Sequence, residues 1–142
     1  MTPAELKAKL EELMALPSET EWVEFKEAKN NYDFNDLGEY FSALSNGANL
    51  NGRPAGWLVF GVTDKLPRQI CGSNYRRHTP DLENLKKEIA QHTNNQITFI
   101  YIHELKDIMG RVILFEIPPA SRGIPTSWKG HFYGRTHETL RC

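Results

Sequence analysis

Apolar residues first recur at Leu6, Leu10, Leu13 and Met14, three and four apart, the period of one helix face. Ahead of them Thr2-Pro3-Ala4-Glu5 supplies a cap, a proline in the first turn and a glutamate three residues after the cap. Pro17 ends the run. Over residues 21–26 the period drops to two. Val23 and Phe25 alternate with Trp22, Glu24 and Lys26, which predicts a half-buried strand. Leu37, Phe41, Leu44 and Ala48 restore the helical spacing behind a cap at Asp33 or Asn35. Residues 51–56, with two glycines and a proline, read as a loop. Residues 57–62 are apolar without a break, the pattern of an interior strand covered on both faces. Thr79-Pro80 opens a third helix carrying Leu82, Leu85 and Ile89. Residues 97–105 and 111–117 read as a hairpin turning through Gly110. A Pro- and Gly-rich stretch, 118–125, leads to a last short strand around 131–134, with Phe132 expected to face the core.

The order is α-β-α-β-α-β-β-β, an α+β class with a mixed β-sheet and packed helices. Residues 1–16 form the N-terminal helix and residues 17–142 the domain proper. No internal repeat or linker interrupts the pattern. The chain stops directly after the last strand, so it is expected to be the N-terminal module of a larger protein.

Composition narrows the partners. No apolar run approaches a membrane span, and the first helix alternates Lys and Glu with Leu, unlike a signal peptide. Two cysteines, Cys71 and Cys142, make no disulfide framework, and five scattered histidines make no zinc pattern. A cytoplasmic location is expected. The net charge of −1 predicts no polyanion binding by itself. Its distribution is uneven: residues 1–39 hold ten acids against four lysines, whereas residues 119–142 hold Arg122, Lys129, Arg135 and Arg141 against Glu138 alone. A basic face can follow from such asymmetry.

Three motifs in order then resemble one family. The first is Glu19-Thr20-Glu21-Trp22-Val23-Glu24-Phe25-Lys26. The second is Ala43-Leu44-Ser45-Asn46 followed, after a long loop, by Gly56-Trp57-Leu58-Val59-Phe60-Gly61-Val62-Thr63-Asp64. The third is Glu116-Ile117-Pro118-Pro119-Ala120 and then Gly130-His131-Phe132-Tyr133-Gly134-Arg135. Together they resemble the Schlafen-type Alba-like domain. Two departures stand out: the family's Gly-Gly pair is split into Gly52 and Gly56, and His137 stands where a glycine is usual.

The resemblance implies an Alba-like core and business with nucleic acid. In bacterial transcriptional regulators the domain is an N-terminal DNA-binding module. In Schlafen proteins it cuts structured RNA with a divalent metal held by two glutamates and an aspartate. On that resemblance Glu19, Glu24 and Asp64 are the candidate catalytic and metal ligands, for magnesium or manganese. From the residues alone, Glu24 pairing with Lys26 or Lys29 and Asp64 capping a turn serve as well. The phosphate loop Gly-x-x-x-x-Gly-Lys-Ser/Thr does not occur, so no ATP is expected.

Residues 128–135 mix aromatics with cations, the grammar of a nucleic-acid surface. Arg122, Lys129 and Arg135 are the expected phosphate contacts, assisted by Arg76 and Arg77, with Lys26 on a phosphate or on Glu24. Three function classes remain open: a nucleic-acid-binding module gripping mainly the phosphate backbone, a metal-dependent endoribonuclease, and a homodimerising module without catalytic activity.

Overall fold

The computed structural model describes residues 1–17, 20–136 and 139–141. Helix α1 (Pro3–Met14) begins as the pattern predicts: Thr2 accepts from the Glu5 amide, and the Glu5 side chain accepts from the Thr2 amide. Strand β1 (Val23–Lys26) follows, then α2 (Phe34–Leu50), capped by Asp33 rather than Asn35. Strand β2 (Gly56–Phe60), α3 (Thr79–Ala90), and the hairpin β3 (Tyr101–Asp107) with β4 (Gly110–Ile117) complete the main body.

The four long strands form one mixed sheet in the order β1-β2-β4-β3. β1 runs parallel to β2, with Val23 opposite Trp57 and Lys26 opposite Phe60. β4 is antiparallel to both β2 and β3. The unbroken apolar run therefore occupies an interior position, as expected. Strand alternation divides its side chains between two cores. Leu58, Phe60, Ile113, Phe115 and Ile117 pack with Leu37, Phe41 and Leu44 of α2 and Leu82, Leu85 and Ile89 of α3. Trp57, Val59, Val112, Leu114, Val23 and Phe25 pack with Leu6, Leu10 and Leu13 of α1. The first helix is thus the lid of one sheet face. Each fully buried leucine on it contributes roughly 1.5–3 kcal/mol of apolar burial.

Differences from the expected pattern are local. The run 97–105 enters the sheet only at Tyr101, because a one-turn 3-10 helix (Asn94–Gln96) with Asn95 and Gln96 at φ 58° and 55° redirects the chain first. Strand β1 is buried on both sides rather than one, Glu24 included. The expected last strand is two short hairpins: β5 (Ser127–Trp128) with β6 (His131–Phe132), and β7 (Gly134–Thr136) with β8 (Thr139–Arg141). Phe132 is 53% exposed, so it does not face the core; Trp128 takes that place.

Candidate nucleic-acid interface

The β5–β6 hairpin is held from below by α2. Ser42 donates to the Thr126 carbonyl (2.7 Å) and accepts from the Tyr133 amide (3.1 Å). Asn46 donates to the carbonyls of Thr126 (3.0 Å) and Tyr133 (2.8 Å), and its side-chain oxygen accepts from the Thr126 amide (2.7 Å). Ser45 reaches the Pro118 carbonyl at 2.8 Å and the Thr126 hydroxyl at 2.7 Å. Three polar side chains in the buried stretch of α2 thus tie the second motif to the third. Their signal in the sequence is that polarity: Ser42, Ser45 and Asn46 interrupt a stretch whose other residues are core.

Trp128 is the hairpin's anchor. Its ring lies against Phe34 and His92, and its Nε1 donates to Asn35 at 2.8 Å. Gly38 makes room for it; a Cβ there would overlap the indole. The two-residue turn that follows, Lys129-Gly130, has φ of 50° and 82°. Positive φ at both positions is the hairpin geometry that matches strand twist. The Lys129 amide donates to the His92 carbonyl at 2.8 Å, which holds a non-glycine residue in the left-handed region. Beyond that anchor Lys129, His131 and Phe132 stand exposed, and so does Arg122 in the preceding loop. Lys129 and the Phe132 ring thus project from one hairpin, with Arg122 exposed in the loop before it.

Other expected cations lie elsewhere. Arg135, on β7, is buried and is removed from the surface strip as a correction to the expectation. Its Nη2 stands 2.9 Å from Glu24 Oε2, and its Nη1 donates to the carbonyls of Val23 (3.0 Å) and Thr20. The cause is sheet parity: Glu24 points to the α2 side of β1, the side on which β7 packs. A buried carboxylate needs a charged partner, and Arg135 is that partner. Arg76 is paired bidentately with Glu88 at 2.7 and 2.9 Å and donates to the Asp81 carbonyl. That hydrogen bond holds the Glu88 carboxyl below its ordinary value. Arg77 is exposed.

Lys26 is partly exposed, 4.0 Å from Glu24 Oε1, and lies 4.9 Å over the Tyr40 ring. Tyr32 sits beside this cluster. Burial pushes its hydroxyl well up, with Tyr40, Asp36, Glu24 and Asp33 adding to the effect.

Of the three expected metal ligands, Glu19 lies outside the described residues, as does His137. Glu24 is committed to Arg135. Asp64 is exposed in the bend after β2, six residues beyond Leu58, the register partner of Glu24. Among the described residues no three His, Cys, Asp or Glu side chains gather into a metal-holding group. The guanidinium of Arg135 and the ammonium of Lys26 already face the single Glu24 carboxylate. Glu24 would meet a divalent ion only in competition with Arg135.

A mixed four-stranded sheet lidded by α1, with a clamped, cation-bearing hairpin on its other side, defines a small α+β module of the Alba-like kind. The chain belongs to the Schlafen, AlbA_2 family, whose model matches residues 19–141. The fold is similar to the DIP2311 protein from Corynebacterium diphtheriae, with a TM-score of 0.63 and 18% identity over 97% of this chain and 26% of that one. The chain thus spans about a quarter of that protein's length. It is also similar to the N-terminal domain of a RecG-related protein, a candidate ATP-dependent DNA helicase, from Nitrosomonas europaea. That likeness has a TM-score of 0.57 and 18% identity, covering 98% of this chain and 89% of that one. No curated protein matches the chain. No helix among the described residues is long and apolar enough to cross a membrane.

Proposed function

We propose that this chain is a nucleic-acid-binding module, the N-terminal domain of a bacterial transcriptional regulator, that grips the phosphate backbone with its β5–β6 hairpin. The observation that supports this reading is the inversion within the hairpin: Trp128 is driven inward while Lys129, His131 and Phe132 are held outward. Lys129 and Arg122 neutralise phosphates and release counterions, and the exposed Phe132 ring offers a face to a base or sugar. Placed on phosphates, these two cations position the module without carrying sequence information, so it reads backbone and shape more than sequence. Membership of the Schlafen, AlbA_2 family, and the likeness to the N-terminal domain of a protein named as a DNA helicase candidate, agree with that reading.

The test is fluorescence anisotropy with single- and double-stranded DNA and RNA over a salt series. The parent binds with an affinity that falls as salt rises. Reversal of Lys129 and Arg122 to Glu removes most of the binding and flattens the salt slope by about two units. Parent-level binding by that double variant at low salt would end the reading. A manganese arm with a structured RNA decides the nuclease alternative: cleavage lost in Glu24→Gln, with the fold kept, would replace binding by catalysis.

A further inference from the structure

The opposite edge of the sheet carries a separate feature. β3 ends the strand order, so among the described residues no strand neighbours one side of its seven-residue backbone. Two cavities run along it. One, about 640 Å³, lies between the start of α1 and β3, lined by Met1, Pro3 and successive β3 residues. The other, about 530 Å³, lies between α3 and the Tyr101–Ile102 end of the strand. The edge is thus a groove with a strand backbone as its floor, the shape that receives another extended strand. Exposed apolar side chains flank the strand at both ends: Met1, Ile100 and Tyr101 at its start, and Ile108, at 98% exposure, with Met109 in the turn after it. Single exposed apolar residues are ordinary, but groups of them along an open edge mark an interface.

We propose that this groove takes the β3 strand of a second copy of the chain, paired antiparallel about Leu105. The sequence His103-Glu104-Leu105-Lys106-Asp107 is complementary to itself in that register. Leu105 meets Leu105 on the two-fold axis. The paired stretch runs from His103 to Asp107, with Ile108 and Met109 in the turn beyond it: Glu104 lies opposite Lys106 and His103 opposite Asp107, each twice over. Each pair falls on one face, because a two-fold axis perpendicular to the sheet preserves side-chain parity. Neighbouring registers are worse. Centring on Glu104 opposes two like carboxylates, and centring on His103 sets Ile102 against Glu104. The axis joins two four-stranded sheets into one of eight strands and hides both β3 edges.

Sedimentation of the parent and three variants tests the pairing. The parent shows a concentration-dependent dimer. Lys106→Glu sets glutamates against one another at both symmetry-related pairs and weakens the dimer about tenfold. Glu104→Lys does the same with lysines. The double swap Glu104→Lys with Lys106→Glu restores opposite charges across the axis and recovers the dimer. Glu104 also pairs with Arg111 inside its own protomer at 2.5 Å. An equimolar mixture of the two single variants therefore serves as a second reading. One chain then carries lysine at both positions and the other glutamate at both, so opposite charges meet only between unlike chains and the mixture dimerises more tightly than either variant alone. A monomeric parent at the concentration of a solution NMR sample, or a Lys106→Glu dimer as tight as the parent's, overturns the proposal.

Discussion

Lys129 and Arg135 are six residues apart, and the structure gives them opposite fates. Lys129 stands at the tip of a hairpin with the Trp128 ring beneath it at 5.6 Å. Arg135 lies beneath the sheet edge, bonded to Glu24 and to two carbonyls, those of Thr20 and Val23. Charge and side-chain length are alike; the surroundings are not. The hairpin turns its cation out because a larger apolar residue beside it takes the buried position. Strand β7 turns its cation in because a buried carboxylate waits there. The same run of aromatics and cations thus supplies one group for a partner and one for the fold.

The sharpest way to break this comparison is to remove the inner cation. Arg135→Met removes the nearer of the two cations facing the buried Glu24 carboxylate, leaving Lys26 at 4.0 Å, at a cost of up to about 3–5 kcal/mol in urea unfolding. Adding Glu24→Leu to it recovers most of that loss, because two apolar side chains replace the pair without an orphan charge. Arg135→Met alone costing less than about 1 kcal/mol would contradict the buried pair. A smaller effect follows at the hairpin's anchor. Gly38→Ala pushes a methyl into the indole of Trp128, costing about 1–3 kcal/mol. Nucleic-acid affinity falls with it although no charge has changed. Unaltered binding by that variant would detach the hairpin's position from its activity.

Much of the fold was legible because its signals are periodic. The capping box at Thr2 and Glu5, the α2 stripe through Leu37, Phe41, Leu44 and Ala48, and the unbroken strand at Trp57 each fix one element and its buried side. The site was less legible because a cation's destination depends on what crosses from elsewhere in the chain. Nothing within residues 128–135 says that Glu24, more than a hundred positions earlier, will need Arg135. Equally, alternation in so short a strand cannot say whether Trp128 or Phe132 is the inner ring; the space left by Gly38 decides it. The clamp of Ser42, Ser45 and Asn46 could have been read from polarity alone, as hydroxyls and an amide placed where a helix should be apolar.

Reversing the outer cations costs binding and not stability. Lys129→Glu and Arg122→Glu each leave urea stability within about 0.5 kcal/mol, since both side chains are exposed. Each lowers the salt slope of nucleic-acid binding by about one unit. A loss of stability without a loss of affinity would exchange the roles assigned to Lys129 and Arg135.

Arg76 stands between these extremes and gives the smallest effect. Its guanidinium is paired, but its partner Glu88 is substantially exposed, so solvent screens the attraction. The hydrogen bond from Arg76 depresses the Glu88 carboxyl below its ordinary value. A carboxyl whose folded value lies below its unfolded one binds fewer protons in the folded state, at pH between the two values. Its contribution is therefore present above the unfolded value of about 4.3 and fades as pH falls through the folded one. Screening limits that contribution to about 0.5 kcal/mol. Urea stability of Glu88→Gln should lie below the parent by that margin at neutral pH, and the gap should close on acidification and in high salt. Arg76→Ala, meanwhile, should bind nucleic acid nearly as well as the parent, because its donors already serve Glu88 and the Asp81 carbonyl. An Arg76→Ala loss as large as that of Lys129→Glu would place Arg76 with the outer cation, and the rule that pairing withdraws a cation from the surface would fail at its middle case.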